Sequence, residues 1–379
     1  MKKGGPGGRL REAIRRYPIG AVVAALAAFF MPLCAWAVKI EKGPYLQDVA
    51  VNAVTVCWET DEATGGDVAY APAPGAGVEL VEPAGEAEVH HCVRLKGLKP
   101  STEYAYSVAA GDARSGSYRF RTAKVPGEDV RFVVYGDSRS NELVHKSIAG
   151  MIAGEKPDFV LNTGDVVGDG KEPSHWARFF RGVSRLAGSV PYYVSIGNHE
   201  KDHPNYFHYF SFPGNEHWYS FDYGGSHFVA LDSNMPYRMD PEQKKWLRKD
   251  LEKSGGAAFT FVFFHHPMYS AGHHGSDLHM RRLYEKMFQE YGVDVVFMGH
   301  DHDYQRSEPP GGVVYVVTGG GGAGLRDVGA ESWTKVSRKV HHYVAVEIRG
   351  GRLEGRAVDV NGKVFDTFSL DGTKKRQGF

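Results

Sequence analysis

The chain has no net excess of charge of either sign, with 45 Lys+Arg against 45 Asp+Glu in 379 residues. Nothing in it resembles the basic footprint of a nucleic-acid-binding protein, so nucleic acid is not an expected partner. Internal repeats and low-complexity tracts are also missing, and the length reads as about two domains plus additional segments. The run Thr318-Gly319-Gly320-Gly321-Gly322 lacks the following Lys-Ser/Thr and the helix that a phosphate-cradling loop requires. Its expected use is sharp turning of the backbone. Charge is missing locally as well: residues 17–38 carry none, after a start that holds six Lys/Arg and one Glu. That stretch ends in Ala35-Trp36-Ala37, so residues 1–37 read as a secretory signal peptide and the mature chain as exported, periplasmic or secreted. An uncleaved anchor is the alternative, because the uncharged run is long enough to span a bilayer, and only then is a membrane a partner. Cysteine is scarce; Cys57 and Cys92 alone lie beyond this segment.

What is present divides into two grammars. Residues 38–124 read as short strands between Gly/Pro/Asp turns. Alternation in Val54-Thr55-Val56-Cys57-Trp58 turns Val54, Val56 and Trp58 inward and Cys57 outward; His91-Cys92-Val93-Arg94-Leu95 likewise turns Cys92 outward. The strand tryptophan, followed by Leu98-Lys99-Pro100-Ser101-Thr102-Glu103-Tyr104, resembles a fibronectin type III domain, an all-β sandwich in which Tyr104 would form the tyrosine corner. That resemblance implies adjacent strands for Cys57 and Cys92, either as a disulfide or as two free thiols. His90-His91 reads as surface.

Residues 125–379 alternate buried strands with helices near 142–153, 176–186, 240–253 and 278–289, the mark of βαβ units. Residues 191–196 form an apolar run that ends in Gly197-Asn198-His199-Glu200. His199-Glu200-Lys201-Asp202-His203 spells the zinc-protease pattern H-E-x-x-H. Gly197, Asn198 and Pro204 fit a loop rather than the helix that pattern needs. The other reading is a composite site. Buried strands end in turn at Gly136-Asp137, Gly164-Asp165, Gly197-Asn198, His265-His266 and Gly299-His300-Asp301-His302. Taken alone, an Asp in such a place caps the following helix and a His-His pair fills surface or core. Together, on the same edge of one sheet, these donors suit a pair of borderline-to-hard metal ions. Asp301 reads as loop support.

The order GD, GD, GNHE, VxxH, GHxH resembles the calcineurin-like metallophosphoesterases and, with the N-terminal sandwich, the purple acid phosphatases. The resemblance implies a four-layer α/β (α+β) domain with mixed sheets. It implies two metal ions (Fe, Mn or Zn), the first held by Asp137, Asp165 and His302. Asp165, Asn198, His265 and His300 would hold the second, with Asp165 as the bridge. It further implies hydrolysis of small phosphate monoesters by a metal-bound hydroxide, with His199 against the phosphate and His273 and His274 facing substrate. Glu200 would orient His199. Two departures stand out. Gly168 occupies the place of the metal-binding tyrosine of purple acid phosphatases, and Arg139 the place of the first-motif histidine of other calcineurin-like enzymes. A colourless enzyme is therefore expected, and Arg139 either meets substrate phosphate or forms an ion pair in its loop. A phosphodiesterase acting on cyclic nucleotides or phospholipid headgroups, and a non-catalytic surface-binding protein on the same scaffold, are the alternatives.

Overall fold

The computed structural model describes residues 37–73 and 79–372. The expected signal peptide, apart from its last residue, lies outside the described residues. In the N-terminal sandwich, one sheet pairs Ile40–Ala50, Ala53–Thr64 and Glu88–Lys96 in antiparallel fashion. The other is built on Gly66–Pro72 and Glu103–Ala110, flanked by Leu80–Pro83 and Tyr118–Arg121. Tyr104 is buried and its hydroxyl accepts from the Lys99 N–H at 2.9 Å, the corner that the sequence pattern predicts.

Cys57 lies directly opposite Cys92 in the strand register, and the two form a disulfide. Cys57 is not on an open face, however: it is fully buried while Cys92 is exposed. The reason is that the outer side of this sheet is covered. Gln47, bonded to Cys57 Sγ, also donates to the Tyr209 carbonyl at 2.9 Å, and Tyr45 Oη donates to the same oxygen at 3.0 Å. His90-His91 departs from expectation for related reasons. His91 is 2 % exposed and stacks on Trp58, and His90 meets Tyr45 Oη at 2.9 Å.

The remainder forms two stacked mixed sheets with helices outside. The first orders Tyr192–Val194, Phe159–Asn162, Val130–Tyr135, His342–Arg349, Arg352–Asp359 and Val364–Asp371. The second orders Tyr219–Tyr223, Ser226–Ala230, Thr260–Phe263, Val295–Met298, Val314–Thr318, Tyr304–Ser307 and Thr334–Arg338. Parallel pairing joins the first three of these strands at one edge of the first sheet and the strands from Ser226–Ala230 to Val314–Thr318 in the middle of the second, as buried Val/Phe-rich runs require. The strand ends carrying the candidate donors thus belong to two sheets rather than one. Rings join the sheets: Phe132 meets Phe228 and Phe261 edge-on at 5.3 and 5.1 Å, and Tyr193 stacks on Phe221 at 3.7 Å. Helices Glu142–Glu155 and Pro173–Ala187 pack with the first sheet's core. Pro241–Lys253 and Leu278–Glu290 bury Leu247, Leu251, Met280 and Phe288 against Val229, Val262 and Val296 of the second.

His227 ties the hairpin of the second sheet to helix Pro241–Lys253. Its Nδ1 donates to Asp222 at 2.7 Å and its Nε2 to Asp250 at 2.8 Å. Burial disfavours the charged ring, but the two carboxylates outweigh it and push its pKa up to about 9 from 6.5. The folded chain holds this proton more tightly than the unfolded one, so the contribution is full below pH 6.5 and is lost as pH rises through about 9. Exposed Asp222 weakens it by solvent screening, to on the order of 2 kcal/mol. Urea titrations across that window are expected to show falling stability in the native sequence and a flatter profile in His227→Gln.

Candidate metal centre

Four glycines allow the strand-end loops to nest. A Cβ on Gly136 would stand 1.9 Å from Thr163 Oγ1, and one on Gly197 would stand 2.4 Å from the Asp165 backbone nitrogen. On Gly164 it would meet Gly197 at 2.8 Å, and on Gly299 it would meet Asp137 Oδ2 at 2.5 Å. No side chain fits at these crossings. The residues just past three of them, Asp137, Asp165 and His300, adopt left-handed backbone conformations with φ of 55°, 55° and 69°. Such strain persists only where surrounding structure fixes it. Here the Asp137 N–H donates to the Gly164 carbonyl, and the His300 N–H donates to Asp137 Oδ2, each at 2.9 Å.

The loops bring the expected donors together. Asp165 Oδ1 lies 3.4 Å from His265 Nε2, which is 3.0 Å from Asn198 Oδ1 and 3.1 Å from His300 Nδ1. Asp137 Oδ1 lies 3.6 Å from His302 Nε2. His265 and His302 each direct Nδ1 at a backbone carbonyl, of Thr163 (2.9 Å) and Gly324 (2.8 Å), which leaves Nε2 turned to the centre. Asp137 Oδ1 is buried without a hydrogen-bond partner. A cation is what that oxygen lacks, and the mixture of carboxylate, amide and imidazole donors without thiolate fits a metal pair.

Electrostatics agree. Burial, with Asp165 close by, pushes the Asp137 carboxyl well above the usual range. Burial acts on Asp165 too, but His265, His199 and Arg139 outweigh it and hold that carboxyl below its ordinary value. Burial, reinforced by neighbouring imidazoles, pushes His300 down, and burial lowers His302 to about 4. These rings are neutral near pH 7, as ligation requires.

The remaining candidates sit at the margin. His199 Nδ1 meets the Gly168 carbonyl at 2.7 Å, and Nε2 is 3.8 Å from Asp165 Oδ2. Arg139 takes the ion-pair role: its Nε donates to Asp165 Oδ2 at 3.1 Å, with Nη2 3.3 Å from His302 Nε2. His274 stacks on His300 at 4.1 Å and bonds Asp301 through Nδ1 at 3.1 Å, whereas His273 is exposed beside it. Asp301 is buried and supports this loop, as expected. The glycine run also serves close approach: a Cβ on Gly319 would stand 2.2 Å from the Asp301 carbonyl oxygen.

The H-E-x-x-H spelling is not helical. His199 and Glu200 lie in turns, and His203 caps the helix Pro204–Tyr209. Glu200 does not orient His199 through its side chain. Its buried carboxylate accepts instead from the N–H groups of Gly197 (2.7 Å), Asp165 (2.9 Å) and Val167 (3.2 Å), stitching two donor loops together. Burial and the nearby Asp165 push its pKa up to about 8. Sequence reasoning also passes over His266, whose ring lies 4.5 Å from His300 and whose Nδ1 meets Ser233 Oγ at 2.9 Å. The adjacent His-His spelling is its only signal. Arg326, bonded to His274 at 2.6 Å, has no local signal at all.

Glu200→Gln leaves one of the three N–H donors facing an amide nitrogen. The expected cost is about 1–3 kcal/mol of stability in metal-free protein, read by urea unfolding; an unchanged midpoint would remove the stitching role.

Residues 131–304 match the Calcineurin-like phosphoesterase family and residues 45–122 match the Purple acid Phosphatase N-terminal domain. Purple acid phosphatase 15 of Arabidopsis thaliana is 32 % identical over 292 residues, covering 62 % of this chain and 53 % of the relative. Acid phosphatase type 7 of Homo sapiens is 27 % identical over 335 residues, covering 73 % and 75 %. The chain thus spans about half the length of the Arabidopsis relative. The structure of purple acid phosphatase PPD1 from yellow lupin (Lupinus luteus) superposes with a TM-score of 0.79 at 22 % identity, covering 86 % of this chain and 74 % of that one. The chain thus carries a calcineurin-like phosphoesterase domain over residues 131–304, preceded by an N-terminal domain of the purple acid phosphatase type.

Proposed function

We propose that the chain is an exported, metal-dependent phosphatase that hydrolyses phosphate monoesters. The observation that carries this reading is the convergence of Asp137, Asp165, Asn198, His265, His300 and His302 with no donor missing. Asp137, Asp165 and His302 would hold the first ion, and Asp165, Asn198, His265 and His300 the second. Asp165 Oδ1 turns to His265 of the second set, whereas Oδ2 is engaged by Arg139, which also lies 3.3 Å from His302 Nε2, so an ion at the first set would have to displace that guanidinium. When bound, the ions supply Lewis acidity at the phosphate and lower the pKa of water for in-line attack.

The side chains do the rest. Asn198 contributes a neutral oxygen, so the second site keeps more Lewis acidity than a further carboxylate would leave it. His199 is oriented by the Gly168 carbonyl, which takes its Nδ1–H, so it is the imidazolium form that gives its Nε2 proton to the departing ester oxygen. Arg139 balances the charge of Asp165 and stands where it can meet a phosphate oxygen. His274, stacked on His300 with its nitrogens turned to Asp301 and Arg326, lines the approach for substrate, and His273 lies beside it. Export is supported by the charge pattern of residues 1–37 and by the Cys57–Cys92 disulfide, which persists in oxidising compartments.

Asp165→Asn is expected to lower kcat/KM by about 100-fold or more and to drop metal content below two ions per chain; near-normal turnover with both ions would break the scheme. The metal-loaded enzyme is expected to be colourless because Gly168, packed near His175, stands where a tyrosine ligand would; a tyrosinate band in the visible spectrum of iron-loaded protein would contradict this. The monoester p-nitrophenyl phosphate is expected to be preferred over its bis ester, with the reverse order assigning a phosphodiesterase.

A further inference from the structure

Arg326 is a cation that the hydrolytic scheme leaves without a task. After strand Val314–Thr318 the chain crosses over the metal centre, and the Arg326 N–H donates to the His302 carbonyl at 3.2 Å. Its guanidinium Nη1 lies 2.6 Å from His274 Nε2 and 3.2 Å from Nδ1, and among the described residues the guanidinium has no other hydrogen-bond partner. Among the described residues no carboxylate answers its charge. Asp301 beneath it is occupied by His274 and Ser270, and neighbouring Asp327 pairs with Lys339 at 2.9 Å. With His274 Nδ1 also meeting Asp301 Oδ1 at 3.1 Å, the ring is held in place, and with it the guanidinium that lies against both of its nitrogens. Most of its five N–H donors remain free, in the planar fork that suits phosphate or carboxylate.

Its depth matters. His300 lines the centre, His274 stacks on that ring at 4.1 Å, and Arg326 lies beyond His274. Reckoned through His274, the guanidinium stands one ring further from the centre than His300, whereas His199 and Arg139 reach Asp165 itself. An anion at Arg326 belongs to a different part of the substrate.

Resting on the phosphatase reading, we propose that Arg326 binds a second anionic group of the substrate, so that favoured substrates are phosphate esters carrying a further phosphate or carboxylate. The test is calorimetric titration of the metal-loaded chain with methylphosphonate, methylenediphosphonate and phosphonoacetate, with metal content checked afterwards. The two bifunctional ligands are expected to bind about tenfold or more tighter than methylphosphonate, and the preferred one identifies the second group as phosphate or carboxylate. R326M is expected to abolish that advantage and R326K to retain part of it. An advantage that survives R326M, or equal weakening of all three ligands, overturns the proposal. Hydrolysis of p-nitrophenyl phosphate by the native chain is read separately. Its absence, with an Arg326-dependent advantage intact, supports this site and overturns only the phosphatase reading.

Discussion

The site depends on backbones passing where no side chain fits. Glycines 136, 164, 197 and 299 let the loops cross, and the residue after each crossing is thrown toward a common point. Three of those residues hold left-handed conformations, which aspartate and histidine adopt more readily than most non-glycine residues do. The strain is held by backbone bonds between loops and by the Glu200 carboxylate, which engages three N–H groups at once. A carboxylate in so dry a place is costly unless its lone pairs are filled, and the loops fill them.

The two sheets turn this local geometry into a rigid one. Their aromatic seam around Phe132, Phe159 and Phe228 fixes how the strand ends of one sheet face those of the other. Donors from separate sheets can then be held at fixed spacing, which flexible connections could not achieve.

The donor set is legible in the sequence because each member but His302, which stands two past His300, follows a glycine or closes an apolar run, and both signals are local. The neighbours of a strand are not local information. Nothing in residues 130–135 says that they pair with His342–Arg349, so the division of the donors between two sheets is visible only in the structure. Alternation likewise assigns Cys57 to the outer face of its strand but cannot say that Gln47 and Tyr209 cover that face. Glu200 shows the same limit in its chemistry. A carboxylate beside a histidine suggests a side-chain partner, whereas its partners are backbone groups whose positions depend on the folded loops. Arg326 is reached through His274 across 52 positions of chain, with no motif to mark it.

The Tyr209 carbonyl joins the two halves of this account. It receives bonds from Tyr45 and Gln47 of the sandwich, and it ends the short helix that follows directly from the Asn198 loop. The sandwich is therefore a splint on the metal-binding half rather than a detachable ornament. Cut away, it would leave Tyr209, Phe180 and Tyr193 uncovered, a sticky aromatic surface with an unanswered carbonyl at its centre. Selection acting on the half that carries the candidate metal centre would thus also constrain a strand that never approaches it.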